Sequence, residues 1–310
     1  MLGVLLLLSA GPGAAPPPQP EARALAFLAR EVPAWSRDNR CFSCHNNGDA
    51  ARALYTAVRL GHRIPARALA DTTRWLERPG RWERNAGDTP AKDGKLAALQ
   101  FAAALAEAHR AGLAKDRRAL EAAARLVVGL QDADGAWRVL EPGVLGSPTT
   151  HGTALATCLA RQTLRQLAVG RGVPAAVARA DRWLRTVPVT SVLDAAAVLL
   201  ALGQAKDAQA RAQRRRCLAQ IQKGEARGGG WGPYVGSAPE VFDTAVVLLA
   251  LAGQGRADVP AGLRRGRAYL LAEQQADGSW TETTRPAGSD SYALRLSTTA
   301  WAARALLATR

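Results

Sequence analysis

"RGRAYLLAEQQADGSW" spans residues 265–280, and its last eight residues decide how the chain is read. An apolar helical pattern runs into Gln, a polar Asp-Gly turn follows, and Trp closes the stretch. The same order recurs in "ARLVVGLQDADGAW" (124–137) and more loosely in "QIQKGEARGGGW" (220–231). The gap from Trp137 to Trp231 is about twice that from Trp231 to Trp280, so it holds two units. The extra unit is "RADRWLRTVPVTSVLDAAAVLLALG" (179–203), which lacks the Gln-Gly-Trp turn, and another unit ends at Trp82 in "RWLERPGRW". Regular recurrence of this kind is the mark of a repeat architecture.

A second helix follows each turn, and all are rich in Ala and Leu. They are "GDAARALYTAVRLG" (48–61), "KLAALQFAAALAEAHRAG" (95–112), "TTHGTALATCLARQ" (149–162), "SVLDAAAVLLALG" (191–203), "VFDTAVVLLALAG" (241–253) and "STTAWAARALLA" (297–308). Their apolar faces are too broad for surface helices, and a more polar helix precedes each one. Six hairpins with apolar inner helices predict an all-α fold that closes on itself as an α/α toroid. Closure buries the terminal repeats that an open solenoid must cap with polar faces.

The composition agrees. Hydrophobic residues make up 48% of the 310, and Trp (8) outnumbers both Phe (4) and Tyr (4). The formal net charge is +15, but only five of the 41 basic residues are Lys, and Arg is spread along every helix. A dispersed charge steers partners weakly, so no specific nucleic-acid binding is expected, while peripheral contact with an anionic membrane surface remains compatible.

The Gln-Gly-Trp turns resemble the QW repeat of squalene–hopene cyclases and related terpenoid cyclases, over roughly residues 65–310. The β subunits of protein prenyltransferases share the toroid. The resemblance implies that Gln satisfies backbone groups at a helix end and that Trp ties one hairpin to the next. It also implies an isoprenoid or other apolar small molecule in the central cavity. The chemistry of these families does not carry over. Their cyclases protonate a polyene with an Asp-x-Asp-Asp cluster, and no adjacent Asp pair exists here. Asp132-Ala-Asp134-Gly135 lies in a turn, where Asp and Gly are ordinary formers. The prenyltransferase zinc set is missing too: the matching helix start reads Asp243-Thr244-Ala245, and no His follows His151. Zinc is therefore not expected. Asp194 and Asp243 read as helix-start residues. Paired carboxylates drawn from Glu240, Asp243 and Asp290 have no spacing that argues for carbohydrate cleavage.

One motif stands outside the repeat. "NRCFSCHNNG" (39–48) holds Cys41, Cys44 and His45 in the Cys-x-x-Cys-His spacing of c-type haem attachment, with the two thiols as attachment points and His45 as the iron ligand. The motif reads as a single helical turn in the connection of the first hairpin, within segment 36–48. A zinc site, a thioredoxin-like redox pair and a fortuitous pair are the competing readings. Met1 is the one Met, so the iron would be His/His-coordinated, with the second ligand among His62, His109 and His151, or five-coordinate with an open side. Cys158 and Cys217 read as buried apolar residues. Residues 2–10 are apolar and Gly13-Ala14-Ala15 offers small residues for cleavage, which predicts a signal peptide and Pro-rich leader over 1–20.

The expectation is thus a single toroid over residues 21–310, periplasmic or secreted. It is expected to carry haem c at Cys41, Cys44 and His45 together with an electron-transfer partner, or to bind an apolar ligand. An isoprenoid cyclase or transferase with other catalytic residues and a non-catalytic interaction scaffold are the alternatives, and the residues alone do not choose.

Overall fold

Helix starts are set by side chains that accept backbone N–H groups. Asp116, Ser191, Asp207 and Ser291 each occupy an N-cap and accept from residues two or three positions on. The computed structural model of the chain describes residues 19–84, 94–139, 152–203, 205–254, 260–282 and 291–310. Residues 1–18, which hold nearly all of the expected leader, lie outside the described residues, as do His151 and Asp290. Pro20, the last residue of that leader, is the first residue of helix α1.

Among the described residues the helices alternate between two layers. The outer layer holds α1 (Pro20–Asn39), α3 (Ala70–Leu76), α5 (Arg117–Gly129), α7 (Val173–Thr186), α9 (Ala208–Gly224) and α11 (Pro260–Ala272). The inner layer begins with a π-helical segment (Cys44–Ala50) that runs directly into α2 (Ala51–Arg59). It continues with α4 (Gly94–Arg110), α6 (Gly152–Leu167), α8 (Val192–Leu202), α10 (Val241–Ala252) and α12 (Tyr292–Ala308). Each inner helix packs on the next, and α12 packs back onto α2 and the π-helical segment. The chain is a closed α/α toroid of six hairpins. No described helix is long and apolar enough to cross a membrane.

The recurrent Trp turns hold the layers together by one repeated bonding pattern. The backbone N–H of Trp137, Trp231 and Trp280 donates to the hydroxyl of Thr157, Thr244 and Thr299 on the following inner helix, at 3.0, 2.8 and 3.1 Å. Each indole N–H donates to the carbonyl ten residues earlier, of Val127, Ile221 and Leu270, at 2.8, 2.8 and 2.7 Å. All three rings are fully buried, and their polar edges are satisfied, as a buried indole requires. Trp82 is buried without such a turn, in an aromatic cluster with Trp75 and Phe101.

Gln acts one position further out, between hairpins. The side-chain amide of Gln131 donates to Gly135 and to Ala176 of α7, both at 2.9 Å, while Arg179 donates to its oxygen. In the second turn the role falls to Glu225, which pairs with Arg265 of α11 at 2.6 Å. Gln222, which sequence alignment favours there, is exposed on α9. The third turn repeats the first across the ring closure. Gln274 donates to Gly278 at 3.1 Å and to Pro20 of α1 at 2.9 Å, and Arg23 of α1 donates to it at 2.6 Å. The repeat therefore extends beyond residue 65 to include α1.

Candidate functional site

The Cys-x-x-Cys-His segment is anchored along its length. Cys41 is buried and accepts the indole N–H of Trp35 at 3.3 Å. Phe42 stacks on Trp75 at 4.5 Å. Ser43 caps the π-helical segment by accepting from the N–H of His45. Asn46 donates to Glu31 and Tyr292, and Asn47 to Val32 and Thr72. His45 is buried, with Nδ1 3.0 Å from the Ser297 hydroxyl of α12.

This geometry corrects the reading of the motif as one helical turn in a connection. Ser43 is extended (φ −95, ψ 139), so helix begins only at Cys44, and His45 already belongs to the inner layer. A porphyrin joined to both sulfurs needs the two thiols and the imidazole on one open face. Cys41 is packed against Trp35, His45 is packed against α12, and only Cys44 is half-exposed. In this arrangement the two thiols and the imidazole do not share one open face. The other described histidines serve local roles: His109 contacts the carbonyl of Ala114 at its helix end, and His62 faces Arg310 at 3.4 Å. Among the described residues no group of three or more His, Cys, Asp or Glu is placed to hold a metal ion.

His45 leads instead into the interior of the ring. The Ser297 hydroxyl donates to Asp49 at 2.6 Å, and Gln100 of α4 donates to the same carboxylate oxygen at 2.9 Å. Ser297, Trp301 and Arg304 follow one another on α12 at i, i+4 and i+7, the spacing of one helix face. Arg52 of α2 lies over the Trp301 ring at 5.7 Å from its centroid, and Arg304 lies over the same ring at 4.9 Å. Phe242 of α10 meets that ring edge-on at 5.6 Å. Glu107 of α4 completes the group, with Arg59 donating to one of its oxygens at 2.7 Å and Arg110 to the other at 3.1 Å.

Electrostatics follow from burial. Desolvation pushes Arg304 down to about 9, with the neighbouring Arg52 adding to the shift, so the side chain is still charged at neutral pH. Arg52 is lowered for the same first reason. Burial raises the Glu107 carboxyl, but the Arg59 hydrogen bond and the surrounding guanidiniums outweigh it and hold the group below the usual range. Cys158 of α6, facing Arg161, Arg52 and Arg304, is pushed up to about 12 by burial.

One mid-helix position keeps accessible surface on each of four inner helices. In the middle of α6, α8, α10 and α12 the residues are buried except for one per helix: Gln162, Leu200, Leu249 and Arg304. On α6, α10 and α12 this position lies five residues after the Thr that binds the Trp turn, so the accessible residues form one layer. Arg304 is heavily desolvated yet keeps some accessible surface. The accessible residues of α8 and α10, Leu200 and Leu249, are apolar, while the cluster on α12, α2 and α4 is polar and charged.

Of these interior residues, the sequence singled out only His45 and, as a buried apolar residue, Cys158. The signal of the others is a charged residue set inside an Ala/Leu run, as Glu107 in "FAAALAEAHR" and Arg304 in "TTAWAARALLA". The other residues that were weighed lie elsewhere. Asp132 and Asp134 sit in the turn and pair with Lys95 and Arg138. Asp194 accepts from Thr190 beside the Ser191 cap, and Asp243 is fully buried in the first turn of α10.

Comparison with known proteins places this geometry in context. No curated protein sequence matches the chain. The type II terpene cyclase MstE from Scytonema, without ligand, superposes with a TM-score of 0.58 at 15% identity, covering 93% of this chain and 96% of that one. A variant of MstE in complex with its substrate, geranylgeranyl dihydroxybenzoate, gives 0.54 at 14% identity, covering 94% and 98%. A protein from Actinoplanes gives 0.57 at 18% identity, covering 94% and 98%. The chain thus has the α/α toroid fold of type II terpene cyclases, and its residues 173–310 match the family described as squalene-hopene cyclase C-terminal domain.

Proposed function

We propose that this cyclase-like toroid binds an elongated apolar molecule of the isoprenoid class in its ring interior. The observation that carries the reading is the accessible surface kept at Gln162, Leu200, Leu249 and Arg304 on the inner helices, together with the Phe242–Trp301 pair between α10 and α12. The isoprenoid-derived substrate of the MstE complex, held by a protein of the same fold, is consistent with that content. Proton-initiated cyclisation is not part of the proposal. Asp49, the carboxylate facing the interior beside His45, accepts two hydrogen bonds and faces the guanidiniums of Arg52 and Arg304. Such surroundings suit an acceptor rather than an acid that protonates an alkene.

Titration of purified protein with geranylgeraniol, followed by Trp fluorescence, tests the chamber. Saturable one-to-one binding that is blocked by Leu249→Trp is expected; absence of saturable binding overturns the reading. Gas chromatography of extracts after incubation with squalene tests the second half. A cyclic product abolished by Asp49→Asn would make Asp49 an acid.

A second reading keeps the haem, and with it export and an electron-transfer partner. It is favoured by the half-exposed Cys44 and by the Ser297 contact at Nδ1 of His45, the kind of contact that orients metal-bound imidazoles. It requires Cys41 to leave Trp35. Intact mass of protein from a host with haem-maturation machinery decides it: one covalent haem, lost in Cys44→Ala, supports this reading, and an unmodified mass removes it.

A further inference from the structure

We propose that Arg52 and Arg304 form an anion-recognising end of the ring chamber, so that its ligand carries an acidic head group, a carboxylate, on the apolar body. The inference rests on the chamber reading above and adds the polarity of what enters.

The argument begins with unmatched donors. A guanidinium presents five N–H donors and is not relieved of its charge at neutral pH. Arg52 is 4% exposed, yet its Nη1 has no hydrogen-bond partner, and neither does Nε of Arg304. Burying a charge without paired hydrogen bonds is costly, so such groups are retained where something else meets them.

The interior acids do not fill that role. Glu107 is already held by Arg59 and Arg110. The Oδ2 of Asp49 accepts from Gln100 and Ser297. The two guanidiniums therefore share Glu107 and Asp49 with the other donors of these carboxylates. Both guanidiniums lie over one ring, Trp301, at 5.7 and 4.9 Å from its centroid. Desolvation leads the downward push on Arg304, and the neighbouring Arg52 is its largest charged contributor.

The surroundings define the rest of the ligand. Arg304 on α12 and Leu249 on α10, two inner helices that pack together, both keep accessible surface, as does Leu200 on α8. The shape of charge that fits is an amphiphile with one oxyanion, and planar guanidinium donors match a carboxylate in two-point geometry.

The experiment compares two probes that differ only at the head, geranylgeranoic acid and geranylgeraniol, by calorimetric titration at neutral pH. The acid should bind at least about tenfold more tightly, the effect of one charge-assisted hydrogen bond. Arg304→Met and Arg52→Gln should bring the acid down to the affinity of the alcohol, while Arg304→Lys, which keeps the charge, retains part of the preference. Thermal melting of the ligand-free variants guards against misfolding, and Arg304→Met should melt no lower than wild type, because removing a buried charge relieves its desolvation. Equal affinities for acid and alcohol on the wild-type protein overturn the anion site and leave the chamber standing. Binding of neither probe overturns the chamber and the anion site with it. A preference for the acid that survives in both Arg304→Met and Arg52→Gln also overturns the assignment.

Discussion

The amide of Gln274 donates to the carbonyl oxygen of Pro20 at 2.9 Å, and through that bond the last repeat grips the first helix. The same bond joins Gln131 to Ala176 inside the ring, also at 2.9 Å. Closure therefore uses the repeat's own joint rather than a special clasp. It is reinforced by Glu21, whose carboxylate pairs with Arg267 at 2.5 Å and Arg310 at 3.4 Å.

Two glycines test whether the joints are equivalent. Gly135 and Gly278 both have positive φ, +101 and +92, and both bring the turn against a carbonyl of the next outer helix, Arg179 and Arg23 respectively. A methyl group at either position meets that carbonyl and strains the backbone. Gly135→Ala and Gly278→Ala should each cost about 1–3 kcal/mol or more in urea unfolding. Similar losses are expected. A Gly278→Ala protein as stable as wild type would mean that α1 does not close the ring in solution.

Glu21 makes the closure sensitive to acid. Burial raises its carboxyl, but the Arg267 hydrogen bond leads the opposing contributions, and the net result lies below the usual range. A carboxyl lowered in the folded state contributes its full stability above the unfolded value. That contribution is lost as pH falls below about 4–5 and through the lowered value. The urea midpoint of wild type should drop more steeply over that window than that of Glu21→Gln. Parallel profiles would show that the ion pair does not form.

Each Trp joint has a large and a small component that mutation separates. Trp280→Ala removes a fully buried ring and should cost about 3–5 kcal/mol. Thr299→Val keeps the ring but leaves the Trp280 N–H without its acceptor, at a cost of about 1–3 kcal/mol. Thr157→Val should cost the same in the first turn. If both Thr variants melt with wild type, the layers are held by ring packing alone.

The architecture was legible because one short turn carries it. Gln, Gly and Trp at fixed spacing, followed by an Ala/Leu helix, mark every joint that has the full turn, and counting the helices gives the ring. Glu225 escaped because alignment by residue type prefers Gln222, whereas the structure selects by distance from Trp231: a carboxylate with Arg265 does the work of an amide. The interior was much less legible. Asp49, Arg52, Ser297 and Arg304 come together only because the ring closes, and their separation along the chain is nearly its whole length. The reading of the haem-type spacing as one helical turn failed for a related reason. Spacing specifies which atoms are near in a helical turn, and the extended Ser43 removes that turn.

The four cysteines offer a direct reading of that segment. Burial pushes Cys158 and Cys217 up to about 12, so at about pH 8 both are thiols rather than the thiolates that react with iodoacetamide. Cys41 is 7% exposed and packed against Trp35, which denies the reagent access. Cys44 alone keeps accessible surface, so native protein should take up one carbamidomethyl group there, with the other three modified only in denaturant. Peptide mapping locates the sites. Equal native labelling of Cys41 and Cys44 would show that the segment opens away from Trp35, the movement that thioether attachment requires. Labelling confined to Cys44 would show that the anchoring by Trp35, Phe42 and Asn47 persists in solution, and that His45 stays turned toward Ser297 and the ring interior.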